Sequence, residues 1–165
     1  MSEDKKAEVK IYSDGSSRGN PGAGGYGTIL TFIDANGILH EKEFSQGFRL
    51  TTNNRMELLG AIIGLENLKF PCNVTIQSDS KYLVDAFNQH WIEGWISKNW
   101  KLNTKNPVKN IDLWKRLLKA IERHDVEFVW IKGHAGHHYN EKCDQLATSA
   151  ADDSENLVDD EGFNG

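Results

Sequence analysis

Two β-rich runs flank Asn36-Gly37 in "YGTILTFIDANGILHEKEFSQGF" (26–48), and that turn pair between such runs predicts a hairpin. Residues 8 to 14 alternate in polarity and read as a strand before it, so the first three strands are antiparallel and joined in sequence. The period then changes. In "NNRMELLGAIIGLENLKF", Leu58, Leu59, Ile62, Ile63 and Leu65 recur at helical spacing, and Pro71 lies beyond the end. "CNVTIQSDS" reads as a short buried strand and "KYLVDAF" as a short helix. "NIDLWKRLLKAIERH" reads as an amphipathic helix and "VEFVWIK" as a strand. Residues 88–109 are rich in tryptophan and show no clear period. "GHAGHHYNEK" reads as a loop leading into a last helix that ends near Ala151. A hairpin set followed by βαβ units predicts a mixed α/β sheet with helices on its faces.

The 165 residues suit one domain, and no stretch of 18 consecutive apolar residues is present to span a membrane. "MSEDKKAEVK" lacks the apolar core of a signal peptide, and Cys72 and Cys143 make no disulfide framework, so a reducing, cytoplasmic setting is expected. The net charge of −5 conceals an asymmetry. Asp152, Asp153, Glu155, Asp159, Asp160 and Glu161 end the chain without a base among them, and a disordered acidic tail is expected over 152–165. Between Phe87 and Lys119, seven Lys or Arg face only Glu93 and Asp112, which fits a polyanionic partner.

"GAGGYG" (22–27) fits the G-x-G-x-x-G pattern of a dinucleotide site. Such a site needs a helix after the glycines, and "TILTFID" is strand-like. No Gly-Lys-Ser/Thr follows, so the P-loop reading also fails. A glycine-rich turn feeding a strand that needs close backbone approach is the better reading.

Four carboxylates stand at element ends: Asp14 after the first strand, Asp79 after "NVTIQS", Glu57 in the first turn of the long helix, and Asp144 at the start of the last. Each also has a structural reading. Asp14-Gly15 is a turn pair, Glu57 follows Asn54 at capping-box spacing, Asp79 can cap the next helix, and Asp144 suits a helix N-terminus. Together, carboxylates in one pocket repel, and hard divalent cations such as magnesium relieve that repulsion. Gly60, Ala61 and Gly64, on the Glu57 side of its helix, permit close approach to a strand or to a ligand.

"YSDGSSRGNPGAGGYG", "TTNNRMEL", "SDSKYLV", "WKLNTKNPVKNIDLW" and "IKGHAGHHYNEKCDQLA", in this order, resemble the ribonuclease HI family over residues 8 to 151. The resemblance implies the ribonuclease H fold, a five-stranded mixed sheet with three antiparallel strands first and helices on both faces. It implies an endonuclease that cuts the RNA strand of RNA–DNA hybrids with Mg2+ or Mn2+, leaving 5′-phosphate and 3′-hydroxyl ends. The family's metal ligands carry over to Asp14, Glu57, Asp79 and Asp144, and its loop histidine to His134. One ion would activate the attacking water and the other stabilise the leaving oxygen. His134 would assist proton movement or product departure. Zinc is disfavoured at His134, His137, His138 and Cys143, which lack a paired Cys-x-x-Cys. A serine hydrolase is disfavoured because Ser16 and Ser17 lack the G-x-S-x-G elbow.

By the same resemblance, Asn20, Asn53 and Gln77 face the hybrid's minor groove, where the 2′-hydroxyl distinguishes RNA from DNA. Thr52 and Asn54 face DNA phosphates, and "NPGAGG" offers a side-chain-poor wall. "HWIEGWISKNWKLNTKNPVKN" resembles the family's basic protrusion, with Trp91, Trp95, Lys98, Trp100 and Lys101 as contacts to the DNA strand. At least one of the three tryptophans is expected to pack in the core, as are Trp114 and Trp130. Three features depart from the family pattern. His138-Tyr139 replaces a proline and an acid, Leu50 stands where a base is usual, and the acidic tail has no family counterpart to carry over. A non-catalytic hybrid-binding module and a DNA nuclease are the alternative readings, and a monomer is the default expectation.

Overall fold

The chain reverses where Asp34 Oδ1 accepts the backbone N–H groups of Asn36 and Ile38 at 2.8 and 3.0 Å, with Gly37 at a φ of 79°. This is the turn that Asn36-Gly37 signals, and it sets the register of the hairpin. The computed structural model describes residues 6–132 and 137–164. The strands are β1 (Ala7–Ser17), β2 (Gly22–Ile33), β3 (Leu39–Thr51), β4 (Cys72–Ser78) and β5 (Asp125–Trp130). The helices are α1 (Asn53–Glu66), α2 (Lys81–Asn88), α3 (Trp91–Ser97), α4 (Ile111–Ile121) and α5 (His138–Asp152). The sheet order is β3-β2-β1-β4-β5, antiparallel across β3-β2-β1 and parallel across β1-β4-β5. No helix among the described residues is long and apolar enough to cross a membrane.

One face of the sheet buries Val9, Ile11, Val74 and Ile76 against α1 and α2, and α4 packs on α1 in the same core. Gly60 and Gly64 let α1 settle on that face. A Cβ at Gly64 would stand 2.8 Å from Ile11 Cγ2, and one at Gly60 would stand 3.3 Å from Ser13 Cβ. Their close approach is therefore to the sheet. The other face buries Tyr12, Ile29 and Cys143 under α5.

Two of the four glycines of "GAGGYG", Gly25 and Gly27, serve that second face, while Gly22 and Gly24 pack against the chain at Arg18–Gly19 and at Ser16 and Thr51. A Cβ at Gly27 would lie 2.3 Å from the Cys143 carbonyl oxygen, and one at Gly25 would lie 2.7 Å from that of Ala147. Gly47 of β3 stands in the same relation to Ala150. Of the side-chain-poor wall over 20–25, Gly25 is thus part of the bed of a helix. α5 begins at His138, earlier than the loop pattern implied, because Tyr139 is anchored there. Its ring stacks on Tyr12 at 4.6 Å and its hydroxyl donates to Glu41.

The expectation of a disordered acidic tail is corrected. α5 runs to Asp152, and the chain then returns along the edge of β3. Arg49 N donates to Val158 O at 2.9 Å and Val158 N to Gly47 O at 3.0 Å. Asp160 accepts from Arg55 Nε at 2.7 Å, from Arg55 Nη2 at 3.0 Å and from Thr51 Oγ1 at 2.7 Å. Arg55 is 2% exposed and is also gripped by Asp112 at 2.7 and 2.9 Å. A buried guanidinium needs its carboxylates, and these lie 57 and 105 residues away in sequence. Asp160→Asn is expected to cost about 2 kcal/mol, the value of a charge-assisted bond to a buried ion. Urea unfolding checks this, and an unchanged midpoint would return the segment to the status of a loose tail.

Candidate active site

Parallel pairing of β1 with β4 aligns Tyr12 with Gln77. Two residues further along, on the same face, this register sets Asp14 beside Asp79. Asp14 lies within β1, opposite Gly27 of β2, so it is a strand residue and not the first of a turn. Asp79 lies just past the end of β4, and the cap of α2 is Ser80, whose side chain accepts from Leu83 N at 3.1 Å. α1 is capped by Thr52, whose hydroxyl accepts from Arg55 N at 3.3 Å. Glu57 is therefore released from any capping role and is buried beside the other two. One carboxylate oxygen from each of Asp14, Glu57 and Asp79 lies within 4.8 Å of the others.

Asp144 adjoins this triplet from the second turn of α5, acting on Asp14 through its charge and a side-chain hydrogen bond. Burial first, then the charges of Asp79 and Asp144, push the Asp14 carboxyl up to about 8. Burial and the charges of Asp14 and Asp79 likewise raise Glu57 well above the ordinary carboxylate range. Glu57 Oε1 is buried with no hydrogen-bond partner among the described residues. Crowded, dehydrated oxygens of like charge are a donor set for a hard divalent cation, and they fit magnesium or manganese far better than a soft metal.

Sequence reasoning missed Gly15, which makes this crowding possible. A Cβ there would stand 2.5 Å from Glu57 N and 2.7 Å from Met56 C. Without one, the start of α1 closes on β1 and Glu57 reaches past it to Asp14. The Gly15 N–H also donates to Asp14 Oδ1 at 2.9 Å and partly offsets the rise at Glu57. The Asp-Gly pair carried the signal, but as a turn pair it pointed to the wrong local structure.

Asn20, Thr52, Asn53 and Asn54 lie together at the start of α1. Asn20 Oδ1 accepts from Asn53 N at 2.8 Å and from Ser17 Oγ at 3.1 Å, which ties the β1–β2 loop to the start of α1. Thr52 caps that helix, and Asn54 is exposed on its first turn. Gln77 is half-buried within β4, two residues short of Asp79. Trp91, Trp95, Lys98, Trp100 and Lys101 lie on α3 and the turn after it, apart from the carboxylates in sequence and element. Trp91 and Trp95 share a helix face with ring centroids 6.3 Å apart. Trp95 packs at 5.2 Å on the wholly buried Trp114, and both Trp95 and Trp100 are partly buried against the core, which leaves Trp91 the most exposed of the three. Lys98 and Lys101 are exposed, and Lys115 lies over the Trp100 ring. His134 lies outside the described residues.

Trp130 is a second correction. It was expected in the core but is 39% exposed at the end of β5, donating its indole N–H to Asp79 O at 3.2 Å. The Lys81 ammonium lies 4.5 Å above its ring. Strand alternation gave no hint of this, because Trp130 is the last paired residue of a short edge strand.

The RNase H family model matches residues 6–152. A ribonuclease H of Lachnoclostridium phytofermentans is 61% identical over 154 residues, covering 93% of this chain and 97% of that protein. A ribonuclease H of Rippkaea orientalis is 52% identical over 160 residues, covering 97% and 94%. Among solved structures, LC9-RNase H1, a type 1 RNase H with the type 2 active-site motif, superposes with a TM-score of 0.79. It is 30% identical, covering 88% of this chain and 72% of that one. The clustered carboxylates, the sheet order that gathers them and relatives matched almost end to end agree: this chain belongs to the RNase H family.

Proposed function

We propose that this chain is an endoribonuclease that hydrolyses the RNA strand of RNA–DNA hybrids, leaving 5′-phosphate and 3′-hydroxyl ends. The observation that carries the reading is the meeting of Asp14, Glu57 and Asp79 from three separate elements within 4.8 Å. A structural role for any one of them does not explain bringing three together, two of them buried, at a cost in repulsion. Asp14, Glu57, Asp79 and Asp144 are the residues that would hold Mg2+, or Mn2+ in its place. When bound, a pair of such ions activates water and stabilises the departing oxygen of a phosphodiester.

The remaining work falls to the protein's own groups. Asn20 and Asn53, already joined by a hydrogen bond, present short polar arms to the minor groove, where a 2′-hydroxyl offers both donor and acceptor. Gln77 adds a further polar arm on that side. Thr52 and Asn54 take a DNA phosphate at the start of α1, where backbone N–H groups favour an anion. Trp91, Trp100, Lys98 and Lys101 grip the DNA strand further along, with Trp95 fixing their platform to the core. His134 assists proton movement or product departure, and His134→Ala slows turnover without ending it. The two cysteines are free and buried, in keeping with a monomeric enzyme of a reducing cytoplasm.

The test is cleavage of end-labelled RNA–DNA hybrid, double-stranded RNA and double-stranded DNA, each with magnesium and with chelator. Only the hybrid with magnesium is expected to be cut, and only in its RNA strand. Cleavage of the DNA duplex, or full activity in chelator, sinks the reading.

A further inference from the structure

Arg18 follows β1 directly, four residues after Asp14, and its backbone N–H donates to Ala23 O at 2.6 Å. Its loop is fixed to the start of α1 through Asn20 and Asn53. The side chain therefore projects from a rigid point beside the proposed minor-groove arms. Its Nε and Nη2 donate to Asp152 Oδ1 and Oδ2 at 2.8 and 2.5 Å, a two-pronged grip. Both partners are about half exposed, at 51% and 56%.

Three features make this pair more than a surface tether. An exposed ion pair contributes little to stability, about 0–1 kcal/mol, so the grip is cheaply broken. The planar guanidinium fork matches phosphate oxygens as well as it matches a carboxylate. Asp152 also ends α5, where the helix dipole disfavours an acid, and no base occupies that last turn. The carboxylate is held there against the dipole by Arg18.

We propose that Arg18 binds a backbone phosphate of the hybrid and that Asp152 occupies its fork until the phosphate displaces it. Asp152 lies eight residues beyond Asp144, about 12 Å along a helix rising 1.5 Å per residue. The phosphate concerned is thus one flanking the reaction centre, not the one that is cut. Asp152 pre-orients the guanidinium, and its charge weakens hybrid binding by the energy needed to release it. This inference rests on the reading of the cleft as a hybrid site.

The test is steady-state cleavage of hybrid by wild type, Arg18→Ala, Asp152→Asn and the double variant across a salt series, with thermal unfolding of each. Arg18→Ala is expected to raise KM about three- to tenfold, the worth of one charge-assisted phosphate contact, with kcat held. It is also expected to reduce the slope of log(kcat/KM) against log salt by about 1. Asp152→Asn is expected to lower KM, and the double variant to behave as Arg18→Ala. If both single variants raise KM alike, or neither moves KM or the salt slope while wild type cuts hybrid, the pair is only a tether and the inference fails alone. A wild type inactive on hybrid removes both this inference and the reading beneath it.

Discussion

Asp14→Asn is expected to reduce hybrid cleavage to background while making the chelated protein more stable at pH 8. The two effects have one cause. Asp14 has a folded-state pKa of about 8 against an ordinary value of 3.8, so its proton is held more tightly in the folded state. The stability this supplies is fully present below pH 3.8 and is lost as pH rises through about 8. Glu57 shifts in the same direction, so it too costs the chelated wild type stability as pH rises. Asparagine removes one charge from the crowd and flattens that slope. In chelator at pH 8, its melting temperature is expected to exceed that of wild type by about 5 °C, on the scale of 1–2 kcal/mol for a domain of this size. Added magnesium is expected to raise the melting temperature of wild type more than that of the variant. Melts at pH 5 and pH 8, with chelator and with magnesium, check all three points. A variant less stable than wild type at pH 8 in chelator would falsify the repulsion account, and retained activity would remove Asp14 from the site.

Gly15→Ala is expected to lower kcat by about 100-fold or more through a single methyl group that touches no substrate. That methyl would stand 2.5 Å from Glu57 N and 2.7 Å from Met56 C, and these neighbours are helix backbone rather than a flexible side-chain end. The first turn of α1 has to move outward, carrying Glu57 from Asp14 and Thr52 with it. Displacements near 1 Å at a reacting centre cost about 100-fold. Overpacking of this kind costs about 1–3 kcal/mol, which this fold is expected to survive. The measurement is kcat and KM on hybrid beside unfolding by urea, with the magnesium concentration for half-maximal activity as the telling quantity. It is expected to rise, because the donor oxygens no longer converge. A variant that is destabilised yet keeps wild-type kcat and magnesium dependence assigns Gly15 to packing alone.

Asp160→Asn and the Arg18–Asp152 series concern the same stretch of chain that composition alone misrepresents. Six acids without a base read as a segment that repels itself and stays in solvent. Three of them instead meet Arg18, Arg49 and Arg55. Those arginines lie 134, 110 and 105 residues earlier in sequence. No local window contains both members of any of these pairs.

The periodicities by themselves determined much of this protein. The hairpin at Asn36-Gly37, the helical spacing from Leu58 to Leu65 and the order of strands and helices follow from side-chain patterns that each segment carries within itself. Asp14, Glu57, Asp79 and Asp144 were legible as candidates because each stands near the end of such a segment. Tertiary structure alone decided that the first three meet, since the β1–β4 register and the absence of a side chain at Gly15 are properties of pairs of elements. It also decided that Gly25 and Gly27 of "GAGGYG" receive α5, that Trp130 is at the surface beside Asp79, and that the acidic end is tied down. The physical reason is common to all of these. Local pattern reports what a segment does with its own backbone and its own faces, whereas close approach and charge pairing depend on what another segment brings to the same place.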